Sequence, residues 1–189
     1  DIYFNSVGKG GCMNLGVAPD RSGLVCEADV RSLEAFGNLL HTLFSVNYAA
    51  SAVASASHVR AWQPEPNQKN PYAPANVTDG DRYSYWAVDD TVTNAALTLT
   101  LPAVAEFNVV RLRENIKLGH RVDGFAVDVW QNNEWKEYVS GQSIGACRLL
   151  RGAKVETDKV RLRITRAAAC PCISDLGLFD TPAALDQKE

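Results

Sequence analysis

Acidic side chains flank a glycine in the stretch Asn76–Trp86, and carboxylates at this spacing can bind a cation. Asp79 and Asp81 lie on either side of Gly80. Two carboxylates around a glycine allow a tight loop to surround a hard cation with oxygen ligands, and Ca2+ prefers about six to eight of them. The same residues suit an Asx-type turn that holds no ion. The residues alone leave a calcium loop and an ion-free turn as alternatives.

No catalytic constellation is evident in the rest of the chain. Asp89-Asp90 and the pair Glu27 and Asp29 are carboxylates close in sequence, but a solvated loop and the first turn of a helix explain them better. The three histidines are scattered, and no nucleophile elbow accompanies them. We therefore expect neither a catalytic residue nor a catalytic cofactor in this chain.

The five cysteines do not form a disulfide scaffold. An odd number leaves at least one thiol unpaired or bonded to another chain. Cys170-Pro171-Cys172 is too closely spaced for an easy mutual disulfide. A structural zinc at this pair would need a second ligand pair at suitable spacing, and the sequence offers none.

Two arginine pairs repeat a short pattern, Val110–Arg113 and Val160–Arg163. Arginines alternating with apolar residues on two strands either form a nucleic-acid surface or keep a sheet face solvated. The neighbouring Glu114 and Asp158 and the formal net charge of -3 favour the solvated face. We expect no nucleic-acid partner.

The elements that position these residues change character along the chain. Ile2–Phe4 and Met13–Val17 predict an apolar segment and a strand around a glycine turn. Apolar residues at threes and fours then predict a helix over Cys26–Phe44, with Glu27 and Asp29 in its first turn. After this helix the composition shifts, and we place a boundary near residues 45–50.

The second part of the chain predicts strands with no helix between them. Ala52–Val59 is the first, and a long loop follows that holds Pro64, Pro66, Asn67, Asn70, Pro71 and Pro74. Alternating or apolar runs predict further strands over Ala95–Leu101, Phe107–Arg113, Phe125–Trp130, Trp135–Val139, Lys159–Thr165 and Ile173–Phe179. This pattern predicts a mainly β chain that folds as an antiparallel jelly-roll sandwich.

Length and composition set limits on the function. The 189 residues are 46% hydrophobic and 22% charged, which is typical of a folded protein. A (β/α)8 barrel needs about 250 residues and does not fit. No apolar run approaches the roughly 20 residues of a membrane span, so we expect no membrane partner. Because the sequence starts at Asp1, without a methionine, we expect it to be part of a longer protein.

The first 44 residues resemble the end of a known catalytic domain. Gly8-Lys9-Gly10-Gly11, then Pro19-Asp20-Arg21-Ser22-Gly23-Leu24, then Asp29-Val30-Arg31-Ser32-Leu33-Glu34-Ala35-Phe36-Gly37 occur in order. This succession resembles the end of the catalytic domain in glycoside hydrolase family 29, the α-L-fucosidases. The resemblance implies a final barrel strand and helix.

The following residues resemble the sandwich that follows the catalytic domain in the α-1,3/1,4-fucosidase branch. The matching segments are Leu112–Ile116, Leu118–Val122, Phe125–Val127, Ser143–Gly145, Arg161–Ile164 and Cys170–Ser174. That domain is similar to galactose-binding-like modules of the coagulation factor 5/8 type C kind and to family 32 carbohydrate-binding modules. The resemblance implies residues 1–46 from the catalytic barrel, a sandwich over residues 47–180 and a tail over residues 181–189.

The resemblance also implies a set of site residues. Related sandwiches hold a structural Ca2+ at the matching loop, joined by a carboxylate near the last strand. This implies calcium ligands at Asn76, Asp79, Asp81, Ser84 and Asp175. Sugar-binding modules hold glycans on end loops, so the candidates here are Arg60, Trp62, His120 and Arg121. Packing or contact with a neighbouring domain is the alternative for these four, whereas Trp86, Trp130 and Trp135 fit core or cross-strand packing.

The resemblance implies the C-terminal part of a secreted or periplasmic α-L-fucosidase. The parent would release terminal α-L-fucose from glycans with retention, and the missing N-terminal catalytic domain and fucosylated glycans would be its partners. A retaining glycosidase needs two carboxyl groups about 5–5.5 Å apart, and no stretch here resembles the family's catalytic motifs. A free-standing carbohydrate-binding module and a cell-surface-binding discoidin domain are the alternatives.

Overall fold

The computed structural model describes residues 1–63, 66 and 68–182. Part of the predicted proline-rich loop (Pro64, Glu65 and Asn67) and residues 183–189 of the predicted tail lie outside the described residues. No helix in the described part is long and apolar enough to cross a membrane.

Helices occupy the beginning of the chain. Helix α1 spans Ile2–Asn5 and helix α2 spans Glu27–Leu43, with a 3-10 turn at Val7–Lys9 between them. Helix α2 lies within one residue of its predicted bounds. The structure differs from the prediction before it, because Ile2–Asn5 is helical and residues 11–18 form no strand. A strand needs a hydrogen-bonded neighbouring strand. Close to this segment the described residues form only an isolated β-bridge, between Pro19 and Val25.

Antiparallel strands are the main elements of the described chain after α2, as predicted. They are β1 (Val53–Ala56), β2 (Trp86–Ala87), β3 (Ala95–Glu114), β4 (Val122–Gln131), β5 (Glu134–Gly141), β6 (Arg148–Ala167) and β7 (Cys172–Phe179). Short 3-10 turns lie at Pro74–Val77 and Ile116–Leu118.

The two longest strands connect the layers of the sandwich. The hydrogen-bonded order is β2-β7-β3-β6-β4-β5, and β1 pairs with the first part of β3 while β7 pairs with its last part. Strand β3 was predicted as two strands divided at Pro102. It is one strand of 20 residues with register shifts between Thr100 and Ala105 and between Phe107 and Val109. Irregularities of this kind tolerate a proline and bend a strand without ending it.

The core lies between the layers and consists of side chains that alternate along the strands. Fully enclosed examples are Leu97, Leu99, Leu112, Leu162, Leu176 and Leu178. Trp86 is also fully buried, and Trp130 contacts its cross-strand partner Trp135 with ring centroids 5.2 Å apart. These three tryptophans therefore pack as predicted.

Helix α2 meets the sandwich only near its end. Leu43 is its one buried residue, and it packs with Val109, Leu149 and Phe179. The ring of Phe44 lies edge-on to Phe179 at 5.0 Å between centroids. The rest of the helix projects away from the core.

Candidate functional site

A polar pocket opens where the loops after β1, β2, β6 and the Ile116–Leu118 turn approach one another. Its volume is about 220 Å3. The lining residues are Arg60, Tyr72, Tyr85, Ala87, Asp90, Leu118, Arg121, Cys170 and Cys172. The pocket brings together Arg60 and Arg121, two of the four residues predicted to bind carbohydrate. We call it the Arg60–Arg121 pocket.

Arg60 is fixed at one side of the pocket. Its backbone N–H donates to the Ala87 carbonyl at 2.8 Å, which ties the loop to β2. Its guanidinium forms a two-point ion pair with Asp90 and lies 5.6 Å from the centre of the Tyr72 ring. The hydrogen bond from Arg60 holds the pKa of Asp90 below its ordinary value. Asp90 is therefore an oriented acceptor at the pocket wall.

Arg121 is fixed in the pocket by contacts to two segments. Its Nε donates to the Leu118 carbonyl at 3.1 Å, and its Nη1 donates to the Cys170 carbonyl at 3.1 Å. The same Nη1 lies 2.9 Å from the Cys170 sulfur and 3.5 Å from the Cys172 sulfur. Burial raises the pKa of the Cys172 thiol to about 12, which favours the protonated thiol over the thiolate.

Two tyrosines complete the pocket. The rings of Tyr72 and Tyr85 lie 5.8 Å apart at an interplanar angle of 59°, and burial raises the pKa of Tyr85. Guanidinium groups, a carboxylate and phenol rings are the groups with which proteins hold sugar hydroxyls and C–H faces. Sequence reasoning missed both tyrosines and Asp90. Aromatic residues on either side of the predicted calcium loop were the available signal.

The structure does not place the other two carbohydrate candidates among the lining residues. Trp62 is half-buried on the loop that follows β1. His120 Nε2 lies 3.0 Å from the Val122 carbonyl and 3.6 Å from the Glu114 carboxylate. These contacts fit the packing alternative, and a role of His120 in carbohydrate binding stays a prediction.

The predicted calcium loop is closed by its own hydrogen bonds. The Asp81 N–H donates to Asp79 Oδ1 at 2.8 Å, and the Ser84 hydroxyl donates to Asp79 Oδ2 at 2.7 Å. Asn76 donates through Nδ2 to the carbonyls of Pro71 and Tyr85. These contacts are those of Asx-type turns, the ion-free alternative.

Asp175, the fifth calcium candidate, is engaged elsewhere. Its carboxylate accepts from Arg111 Nε at 2.6 Å and from Arg111 Nη2 at 3.2 Å. Within the described ranges, no group of three or more histidine, cysteine or acidic side chains is arranged to hold a metal ion. The described geometry therefore does not form the predicted five-residue cage, and calcium binding stays a prediction.

Three of the four repeated arginines (Arg111, Arg161 and Arg163) form close ion pairs with acids, as the solvated-face interpretation predicts. Asp128 accepts from Arg161 and Arg163, with Nε to Oδ2 distances of 2.8 and 2.7 Å. Burial works against the charged form of Asp128, but the hydrogen bonds from the two arginines outweigh it and lower its pKa. These ion pairs fit the solvated-face interpretation, and the absence of a nucleic-acid partner stays a prediction.

The carboxylate pairs noted in the sequence are also accounted for. Asp89 accepts from the Ala61 N–H at 2.9 Å while Asp90 holds Arg60, so the two acids serve different loop contacts. Glu27 pairs with Arg31 on exposed helix α2. These contacts agree with the loop and helix-start explanations of the two pairs.

Comparison with solved structures finds a similar fold in a smaller protein. A chitosan-binding module from Paenibacillus has a TM-score of 0.60 over 70% of this chain and 97% of its own, at 14% identity. This likeness shows the shared fold alone. No family model matches the chain.

Comparison with longer proteins identifies a specific relationship. The chain is 38% identical over 179 residues to putative alpha-L-fucosidase 1 of Oryza sativa, covering 95% of this chain and 34% of the relative. It is 35% identical over 182 residues to alpha-L-fucosidase 1 of Arabidopsis thaliana, covering 95% of this chain and 35% of that relative. The structure of a putative alpha-L-fucosidase of Bacteroides thetaiotaomicron has a TM-score of 0.87 at 30% identity, covering 96% of this chain and 39% of that one.

The chain is therefore homologous to family 29 α-L-fucosidases, in their C-terminal part. A Ruminococcus gnavus family 29 fucosidase in complex with fucose gives a TM-score of 0.84 at 28% identity, over 96% of this chain and 36% of that one. The chain spans about a third of the length of the curated relatives it matches.

Proposed function

We propose that this chain is the accessory C-terminal part of an α-L-fucosidase that releases terminal α-L-fucose from glycans. The N-terminal part of the parent would supply the two catalytic carboxyl groups. This chain would support the catalytic domain and help to position the glycan. The homology over 95% of the chain, against about a third of the relatives' length, supports the proposal.

The observation that carries the proposal is the exposed apolar surface of residues 1–46. Helix α2 has 17 residues and buries only Leu43. Leu24 is 68% exposed and Leu15 is 51% exposed. A groove of about 460 Å3 runs along the helix, lined by Ile2, Tyr3, Phe4, Phe36, Leu39, Leu40 and Leu43, with Asp1 and Arg151 at its edge. Apolar surface of this kind marks a contact with another protein part, and the proposed catalytic domain would cover it.

A matched pair of variants in a longer protein that carries this chain tests the support role. Leu33→Asp places a charge on the apolar side of α2, and Asn38→Asp places the same charge on an exposed polar position. We expect Leu33→Asp to lower the thermal stability of the fucosidase activity and Asn38→Asp to leave it unchanged. Equal behaviour of the two variants would contradict the proposed contact.

We further propose that the Arg60–Arg121 pocket binds a fucosylated glycan. Its two guanidinium groups, Asp90 and two tyrosines support this. Arg60→Gln removes the charge that holds Asp90. Arg31→Gln is the control, because it removes an arginine charge on helix α2 that does not line the pocket. On a glycan array, the chain and Arg31→Gln should bind the same fucosylated glycans, and Arg60→Gln should lose them. Identical patterns for all three proteins would reject this pocket as the site.

A further inference from the structure

A second pocket lies beside the Ile116–Leu118 turn, which also borders the Arg60–Arg121 pocket. Its volume is about 210 Å3. It is lined by Arg82, Tyr83, Arg113, Glu114, Asn115, Ile116, Lys117, Ala146 and Ser174. A volume of this size holds about seven water molecules at roughly 30 Å3 each, which is the scale of one small ring. We call it the Arg113–Asn115 pocket.

Two buried polar atoms of this pocket lack a partner among the described residues. They are Nε of Arg113 and Oδ1 of Asn115. Asn115 is 5% exposed, and its other amide atom is already used, because Nδ2 donates to the Tyr83 carbonyl at 2.9 Å. A buried donor or acceptor without a partner is costly, so a hydroxyl group that reached either atom would be stabilised there. One N–H donor and one carbonyl acceptor together match hydroxyl groups, which accept and donate.

The lining is also cationic. Arg82, Arg113 and Lys117 contribute three positive charges, against the single acid Glu114. Glu114 is turned to the backbone, since its carboxylate accepts from the N–H groups of Arg121, Val122 and Gly145. The Arg113 guanidinium has only a distant contact with Asp175, at 4.0 Å. The positive charge of the lining is therefore largely available to a ligand.

An aromatic ring stands at the pocket. Tyr83 is 53% exposed, and Lys117 Nζ lies 3.5 Å from the centre of its ring. Within the described part of the chain, no ion pair of Lys117 or Arg82 is found. An aromatic face and unpaired cations beside hydroxyl-binding groups suit a sugar that also carries a negative charge.

We propose that the Arg113–Asn115 pocket binds a carboxylated sugar residue of a glycan, with its hydroxyls beside Arg113 and Asn115 and its carboxylate facing the cations. The backbone of the pocket is preorganised, because Asn115 N–H donates to the Cys172 carbonyl and Glu114 N–H donates to the Gly145 carbonyl, each at 2.9 Å. The proposal rests on these residues and holds whether or not the chain acts in a fucosidase.

Glucuronic acid and glucose are a matched pair of probes, since they differ by a carboxylate in place of a CH2OH group. Titration of the 189-residue chain, followed by its amide NMR signals, reports the location of each sugar. We expect glucuronic acid to shift the signals of residues 113–117 and to bind at least threefold more tightly than glucose. Equal affinity for the two sugars, or shifts confined to the Arg60–Arg121 pocket, would overturn the proposal.

A matched pair of lysine variants tests the role of charge. Lys117→Gln removes the cation beside Tyr83, and Lys136→Gln removes one on strand β5, where it pairs with Glu134. An exposed charge pair contributes up to about 1 kcal/mol, so Lys117→Gln should weaken glucuronic acid about three- to fivefold. Glucose affinity should not change, and Lys136→Gln should match the wild-type chain. Equal effects of the two lysine variants would show that only the net charge of the protein attracts the sugar.

Discussion

Glu114 should be among the residues on which the stability of this chain depends most. It lies between the two pockets, its side chain is 0% exposed, and its carboxylate accepts three backbone hydrogen bonds of 2.7–3.0 Å. A hydrogen bond to a charged group contributes about 1.5–3 kcal/mol, and a buried donor without a partner loses a comparable amount. Because water can enter the space left by truncation, we take the lower end, and Glu114→Ala should cost about 4–5 kcal/mol.

Glu114→Gln should cost less, because one oxygen remains while an NH2 group faces a backbone N–H. That conflict amounts to about 1–3 kcal/mol. Urea unfolding followed by tryptophan fluorescence measures both variants, and a loss of 1 kcal/mol corresponds to about 2–4 °C in Tm for a chain of this size. Glu134→Ala is the control, since this glutamate is 63% exposed and should stay within about 0.5 kcal/mol of wild type. An unfolding free energy of Glu114→Ala equal to that of Glu134→Ala would contradict the structural role of these hydrogen bonds.

Three further predictions concern other parts of the sandwich. Asp128→Asn should lower the unfolding free energy by about 1–3 kcal/mol, less than for a fully buried pair because its arginine partners are 28% and 35% exposed. The pKa of Asp128 is lower in the folded than in the unfolded chain. Its contribution to the free energy of unfolding is therefore complete above the unfolded pKa of about 3.9 and is lost as the pH falls through the folded pKa. In urea titrations, the difference in unfolding free energy between wild type and Asp128→Asn should shrink in acid. Asp79→Ala should lower the Tm in EDTA more than Asp79→Asn does, because asparagine keeps the Asx turn. The predicted calcium site adds a second effect: Ca2+ should raise the Tm of the wild-type chain and leave that of Asp79→Asn unchanged. Gly152→Ala should cost about 1–3 kcal/mol, because a Cβ there would lie 2.5 Å from the Tyr138 ring, while Gly37→Ala, with nothing within 4 Å, should not destabilise the chain.

The spacing of apolar residues and the residue types of the turns made much of the fold predictable. Apolar residues at threes and fours gave the bounds of α2 to within a residue, and alternation gave the strands on either side of the Asn132-Asn133 turn, where both asparagines adopt positive φ. The strand over Met13–Val17 was not recovered, because strand formation depends on a neighbouring strand as much as on local alternation.

The site was less predictable than the fold. Arg60 and Arg121 were identifiable as polar loop residues, but their meeting in one pocket depends on long-range pairing of β2, β7 and β3. Asp175 was expected to bind a cation, and its cross-strand contact with Arg111 could not be known before the register of β3 and β7. Spacing along the chain does not carry that information.

Activity measurements on two proteins test the central claim most directly. The 189-residue chain and a longer protein that carries it would each be purified and given an aryl α-L-fucoside. We expect the longer protein to release fucose with retention of configuration and the 189-residue chain to release none. Fucose-specific turnover by the chain alone, or a longer protein inactive on α-L-fucosides, would contradict this expectation.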